Sequence, residues 1–320
     1  MKKLSITLAG LGLLGLASLL WSLSQGSITL GPGELWNAWH SDSLEQRLVT
    51  ELRLPRALSA FAVGGLLALA GALMQTLLRN PLGDPYVLGI SGGAAVGTLG
   101  AMLLGIGGIW LNTSAFVGAL LSMLLVFALA HGKGGWTTTR LLLTGVIVAA
   151  GWGALIRLML AISPDSDLRG MIFWLMGDFS HASAPGGAIA VLIIGLLLCV
   201  PMARSLNILA RGEMQAQALG VNVQGLRWAS YFLASMLTAV AVTQAGSIGF
   251  VGLVVPHLIR LVAGNDQRLL LPASVLLGGT LLVCADTLAR TVIAPQQLPV
   301  GVITALIGVP VFLYLLRQSK

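Results

Sequence analysis

The chain has 320 residues, of which 56% are hydrophobic and only 9% charged, with a net charge of +7. Together with a mean hydropathy of +0.92, that composition excludes a soluble globular domain. The excess of Lys and Arg then reads as the positive bias of cytoplasmic loops, and no nucleic-acid partner is expected.

Lys2 and Lys3 precede a first apolar run at 4–23, which is long for a cleaved leader and is followed by no convincing small-x-small site; it is expected to stay as a first helix. Further runs follow at 57–78, 88–108, 114–131, 141–162, 187–203, 229–247, 250–263, 269–289 and 301–316. At about 1.5 Å per residue, roughly twenty residues cross the hydrocarbon core of about 30 Å. The runs are apolar all round, unlike core helices with one polar face. The sequence therefore predicts an all-α integral membrane protein with about ten transmembrane helices in a single transmembrane domain, 1–320. The run at 250–263 is short and holds Pro256, so it is expected to cross with help from neighbouring protein.

Most of the 18 basic residues, including Lys2, Lys3, Arg79, Lys133, Arg140, Arg204, Arg211, Arg227 and Lys320, fall in the gaps on the side of the N-terminus. Arg47, Arg53, Arg56, Arg157, Arg169 and Arg290 fall opposite, as do most acids, among them Asp42, Asp178 and Asp286. The positive-inside rule then places both termini of a multi-pass membrane protein in the cytoplasm.

Glycine is abundant at 41 residues. Gly89, Gly93, Gly97, Ala101 and Gly105 recur every fourth residue, and shorter series are Gly64-Ala68-Ala72 and Gly145-Ala149-Gly153. Such ridges let helices pack closely, and a smooth face could also shift or line a pathway. Cys199 and Cys284 both lie in apolar runs, which argues against a disulfide framework or a metal site.

Four regions could carry function. The first is the longest cytoplasmic loop, 204–227, where Leu206, Ile208, Leu209, Met214, Ala218 and Leu219 alternate with polar residues and Glu213. Gly212 breaks this stretch and Gly220 suits a left-handed helix end, so two short amphipathic helices are expected. They could anchor at the membrane surface or dock onto a soluble partner. The second region is Arg53-Leu54-Pro55-Arg56 with Arg290, a cationic rim that could snorkel or receive an acidic external protein. The third is the turn Arg79-Asn80-Pro81-Leu82-Gly83-Asp84-Pro85, which beside Thr137-Thr138-Thr139 could form a constriction or an ordinary loop. Last, His40, His131, His181 and His257 are scattered, and a hydrogen-bonded packing role is expected for His257.

No G-x-x-x-x-G-K-[ST] is present; His131-Gly132-Lys133-Gly134-Gly135 has the wrong spacing. No zinc-helix motif or nucleophile elbow appears, so the chain is not expected to be an enzyme and needs no cofactor. A self-sufficient secondary transporter or channel is the alternative, but only Arg157 falls near mid-span, and proton-coupled pumps use intramembrane acids or histidines.

Arg53-Leu54-Pro55-Arg56, Asn80-Pro81-Leu82, Leu88-Gly89-Ile90, the stretch 246–257 (GSIGFVGLVVPH) and Leu298-Pro299-Val300-Gly301 resemble signature stretches of one family, in order from Arg53 to the C-terminus. It is the permease family of binding-protein-dependent ABC importers for iron–siderophore complexes, haem and vitamin B12. Asp167-Leu168-Arg169 and 204–220 are similar to the vitamin B12 members in particular. The resemblance implies a type II ABC importer permease fold of ten helices, a homodimer or close heterodimer, a cytoplasmic ABC ATPase dimer and a periplasmic substrate-binding protein. It implies that Arg53, Arg56 and Arg290 receive acids of the binding protein. It implies that Leu206, Leu209, Glu213, Ala218, Leu219 and Gly220 belong to the ATPase coupling segment. Asn80, Thr138 and Thr139 match positions near a cytoplasmic gate. Asp178 and His181 match no family residue, and the smooth pathway leaves the cargo open among iron–siderophore, haem and cobalamin.

Overall fold

The computed structural model describes residues 2–26, 28–37, 44–131, 137–180 and 184–318. Trp39, His40, Asp42, Lys133, His181 and Lys320 lie outside the described residues, and of Thr138 only the backbone is described. The chain folds into α1 (Lys2–Ser24), α2 (Pro32–Asn37), α3 (Leu44–Arg47), α4 (Leu54–Leu78), α5 (Ile90–Leu103), α6 (Ile109–Ala130) and α7 (Thr138–Ile162). There follow α8 (Asp165–Met176), α9 (Gly186–Arg211), α10 (Glu213–Ala218), α11 (Val223–Ala245), α12 (Val251–Ala263), α13 (Gln267–Thr291) and α14 (Val300–Gln318). Among the described residues there is no strand.

Among the described residues, 7 helices are long and apolar enough to cross a membrane, and the shorter α5, α12 and α14 complete a one-to-one match with the runs read from hydropathy. The 14 residues of α5 and 13 of α12 rise only about 20 Å, less than a bilayer core. Both are buried over much of their length, so protein rather than lipid satisfies what lies beyond their ends.

The bundle is built around α4. From Ala57 to Leu78 almost every residue of this helix is buried, including Leu66, Leu69, Leu73 and Met74 at 0% exposure. An apolar helix in lipid gains nothing from hydrophobicity alone, so close backbone approach must hold it. Small residues provide that approach. A Cβ on Gly64 would lie 2.2 Å from the Gly278 carbonyl oxygen of α13, and one on Gly71 would lie 1.9 Å from that of Gly252 on α12. The series Gly64-Ala68-Ala72 is thus a packing face: a Cβ on Gly278 would in turn meet Ala68 at 2.5 Å.

The longer α5 ridge is shorter in the fold than in the sequence. Gly93 and Gly97 do abut α6, at 2.4 Å from the Gly118 oxygen and 2.2 Å from the Ser114 oxygen. Gly89 precedes the helix with φ 72° and Gly105 follows it with φ 68°, so each serves a chain reversal that disfavours a Cβ.

One expectation is corrected. The segment 204–211 is not a separate surface helix; it continues α9 as far as Arg211, and only 213–218 forms its own helix. The gap between the runs at 141–162 and 187–203 holds α8, with Asp165 and Asp167 in its first turn where the helix dipole favours acids.

Candidate functional site

At one end of the bundle the predicted arginines come together around the C-terminus of α1. The last carbonyls of any helix lack intrahelical partners. Here Arg53 Nη1 donates to Leu23 O at 2.7 Å and Ser24 O at 3.3 Å, and Nη2 to Ile28 O at 2.5 Å. Arg290 Nη2 donates to Ser22 O at 2.8 Å and Ser22 Oγ at 2.7 Å, and Nη1 to Gln25 O at 3.2 Å. Two cations therefore cap the negative end of α1. Arg53 is only 6% exposed.

Arg56 lies beside this cap and holds an acid. Its Nε lies 3.1 Å from both Asp286 oxygens, and its Nη2 donates to Oδ1 at 2.8 Å. Nη1 reaches Gln297 Oε1 at 2.9 Å. Asp286 is 1% exposed and also faces Arg290 Nε at 3.4 Å, one helical turn on. Asp178, for which the sequence offered no match, lies 4.0 Å from Arg56 Nη2. The three arginines outnumber Asp178 and Asp286, so this cluster is net positive. Asp286 and Gln297 were not singled out from sequence, although the i,i+4 spacing of Asp286 and Arg290 was a readable signal.

The opposite end carries the predicted coupling segment. Gly212, at φ 140°, turns the chain out of α9. Arg227 then clasps Glu213 with two parallel bonds, at 3.0 and 2.7 Å, which fastens α10 against α11. Gly220 has φ 77°, the left-handed conformation expected of it. Leu206 and Leu209, at 0% and 1% exposure, are inside the bundle and anchor this segment. What faces outward is Met214 at 85% and Leu219 at 69% exposure, with Ala218 and Gly220 exposed beside them.

Asn80 closes the turn after α4 by accepting from Leu82 N at 2.9 Å. It lines a cavity together with residues from α4, α9 and the α12–α13 turn, and Thr139 is not among that lining. Thr137 caps α7 by accepting from Arg140 N at 3.3 Å. The hydrogen bond expected of His257 is not formed: neither ring nitrogen has a partner among the described residues, and the ring packs edge-on to Phe312 at 6.2 Å. Among the described residues no cluster of three His, Cys, Asp or Glu could hold a metal ion.

A second clasp ties α9 to α13. Asn207 Nδ2 donates to Asp266 Oδ1 at 2.8 Å, and Gln267 N donates to Asn207 Oδ1 at 2.8 Å. The Asn207 amide, with the Arg268 N–H behind it, holds the Asp266 carboxyl below its usual pKa. A depressed pKa gives stability that is complete above about pH 4 and is lost as pH falls through the lowered folded value. The melting temperature of Asp266→Ala should therefore lie below that of the parent at pH 7, and the gap should narrow as the pH is taken toward 3.

This architecture has close counterparts. Residues 13–318 match the FecCD transport family. The chain belongs to the FecCD family. A FecCD relative from Halobacterium salinarum, the cobalamin import system permease protein BtuC, is 44% identical over 86% of this chain and 74% of its own length. The hemin transport system permease protein HmuU of Yersinia pestis is 40% identical over 94% of this chain and 92% of its own. A solved structure of a metal-chelate type ABC transporter in an inward-facing conformation superposes with a TM-score of 0.88 at 33% identity, covering 97% and 98% of the two chains. PsaBC from Streptococcus pneumoniae in complex with Fab shares the fold alone, with a TM-score of 0.59 at 19% identity over 84% of this chain and 93% of that one. As a FecCD protein the chain is a multi-pass membrane permease of the ABC importer class, not a channel that stands alone.

Proposed function

We propose that this chain, paired with a second copy of itself in a bacterial inner membrane with both termini cytoplasmic, imports a bulky metal-bearing chelate from the periplasm. An ABC ATPase dimer docks on α10, and a periplasmic substrate-binding protein docks at the arginine end. The cargo class follows the names of the relatives, cobalamin and hemin, with iron–siderophore complexes of similar bulk as the third candidate. The observation that carries the partner assignment is α10 itself. It is a short helix fastened at Glu213 and buried at Ala216, with Met214 and Leu219 left outward at 85% and 69% exposure. A helix held so firmly beneath an exposed apolar tip suits docking into a groove of a soluble partner. A chain with no phosphate-binding loop of its own would receive the ATPase stroke there. Thr138, Thr139 and Asn80 would then border the cytoplasmic gate.

Replacing Met214 and Leu219 together with aspartate should abolish co-purification of the ATPase and ATP-driven uptake. The permease itself should keep its melting temperature, because neither side chain is packed inside. The function is tested in proteoliposomes holding the permease, the ATPase and the loaded carrier, with radiolabelled cobalamin and haemin as separate cargoes. Uptake that needs both ATP and carrier is the expected result. Flux through the permease alone would favour a self-sufficient transporter.

A further inference from the structure

The end of the bundle that bears α10 also holds a cavity of about 630 Å³, between the end of α4, the end of α9 and the turn joining α12 to α13. That volume falls in the range of small-molecule sites, roughly 300–1,000 Å³. Its lining is unusually cationic for a protein that is only 9% charged. Arg79, Arg211 and Arg260 all line it, against Asp266 as the one acid in that lining.

The acid is already occupied, by Asn207 and by the N–H of Arg268. The cations are mostly not. Arg260 spends Nη1 on Gln75 Oε1 at 2.5 Å. Among the described residues the guanidiniums of Arg79 and Arg211 have neither a hydrogen-bond nor an ion-pair partner. Arg79 is held in place by its backbone, which ends α4 in the left-handed conformation at φ 47°. A non-glycine residue there is uncommon, and the turn fixes where its side chain leaves the helix.

Gln267 closes the inner wall of the cavity: it is 2% exposed, and its Nε2 donates to Thr76 Oγ1 at 3.0 Å.

We propose that this cavity is a binding site for a phosphate ester, with the phosphate held by Arg79, Arg211 and Arg260. Guanidinium groups suit phosphate because their fork of donors matches its oxygens. Two sources share that chemistry, a soluble organic phosphate such as a nucleotide and the headgroup of an anionic phospholipid. Only the placing of this end in the cytoplasm rests on the proposed function; the site itself rests on the lining.

The test uses the full chain in phosphatidylcholine nanodiscs, with AMP as the soluble probe and adenosine as the same molecule without its phosphate. Saturable binding of AMP and none of adenosine is expected. The double variant Arg79→Gln/Arg211→Gln should weaken AMP binding at least tenfold, and Arg79→Lys/Arg211→Lys should restore part of it. Phosphatidylglycerol that stays with the parent through purification, is lost in the Gln double variant and is displaced by AMP would assign the natural occupant to the lipid. Its absence from the purified parent would assign it to the soluble pool. The proposal is overturned if neither AMP nor phosphatidylglycerol binds saturably, or if the double variant binds both as the parent does. Should the double variant fold poorly, the comparison of AMP with adenosine on the parent still decides. Carrier- and ATP-dependent uptake is a separate measurement, so failure here leaves the importer reading standing.

Discussion

Gly71→Ala is expected to lose most of the folded protein, although it adds a single methyl group to an apolar helix. Judged by helix propensity alone the change should help, by about 1 kcal/mol. The fold reverses that sign. The new Cβ would lie 1.9 Å from the Gly252 oxygen, 2.5 Å from its carbonyl carbon and 2.7 Å from its Cα. All three are backbone atoms, so no side chain can rotate away. Relief requires α4 and α12 to separate, and their shared hydrogen bonds separate with them. Gln75 Nε2, which donates to Gly252 O at 3.3 Å and Leu253 O at 2.9 Å, would lose its acceptors in a buried place. Overpacking of about 1–3 kcal/mol plus an unsatisfied buried amide of similar cost gives a total on the order of 4 kcal/mol. The control is Gly12→Ala, where a Cβ meets nothing within 4 Å; it should leave the melting temperature equal or slightly higher. Fluorescence-detected size exclusion after a heating series reads both. Equal melting of Gly71→Ala and parent would mean that the α4–α12 contact is not as close as described.

The comparison of these two glycines shows how far the sequence could be read. Spacing by four residues announced small-residue packing, because a smooth face is a property of one helix. It could not say that Gly71 meets Gly252 while Gly12 meets nothing, since that depends on which helices are neighbours. Hydropathy found the apolar runs that become α1, α4–α7, α9 and α11–α14, because a helix in lipid or buried in the bundle needs apolar residues whatever its length. It stopped α9 at residue 203, where the apolar run ends, whereas the helix continues to Arg211. A helix needs only its own backbone bonds to continue past the membrane surface, and between Pro201 and Gly212 nothing interrupts them. The start of α8 was legible in Pro164 followed by Asp165 and Asp167. Around the arginines the limit was different. Arg53, Arg56 and Arg290 were visible as a cationic group, but the partners of two of them are carbonyl oxygens of α1. A carbonyl is common to every residue and leaves no mark in the sequence, so a helix cap looked like a rim with free charges.

That cap changes how docking at the arginine end must be tested. Arg56→Glu would set a second carboxylate against Asp286, which is 1% exposed, so weaker docking and a damaged fold would arrive together. Arg56→Ala separates them better. It removes the donors at 2.8 and 3.1 Å and leaves Asp286 with Arg290 Nε at 3.4 Å. Breaking a buried pair costs about 3–5 kcal/mol, and the remaining arginine should hold the loss nearer 2 kcal/mol. Adding Asp286→Asn removes the stranded charge and should return most of that stability. The double variant then asks the functional question on an intact fold. If Arg56 also receives an acid of the carrier, carrier affinity should stay at least tenfold weaker than the parent, about 1.4 kcal/mol, with a reduced dependence on salt. Binding of the carrier to nanodiscs by surface plasmon resonance at 50 and 300 mM salt measures it. If affinity returns with stability, Arg56 serves Asp286 alone and takes no part in docking the carrier.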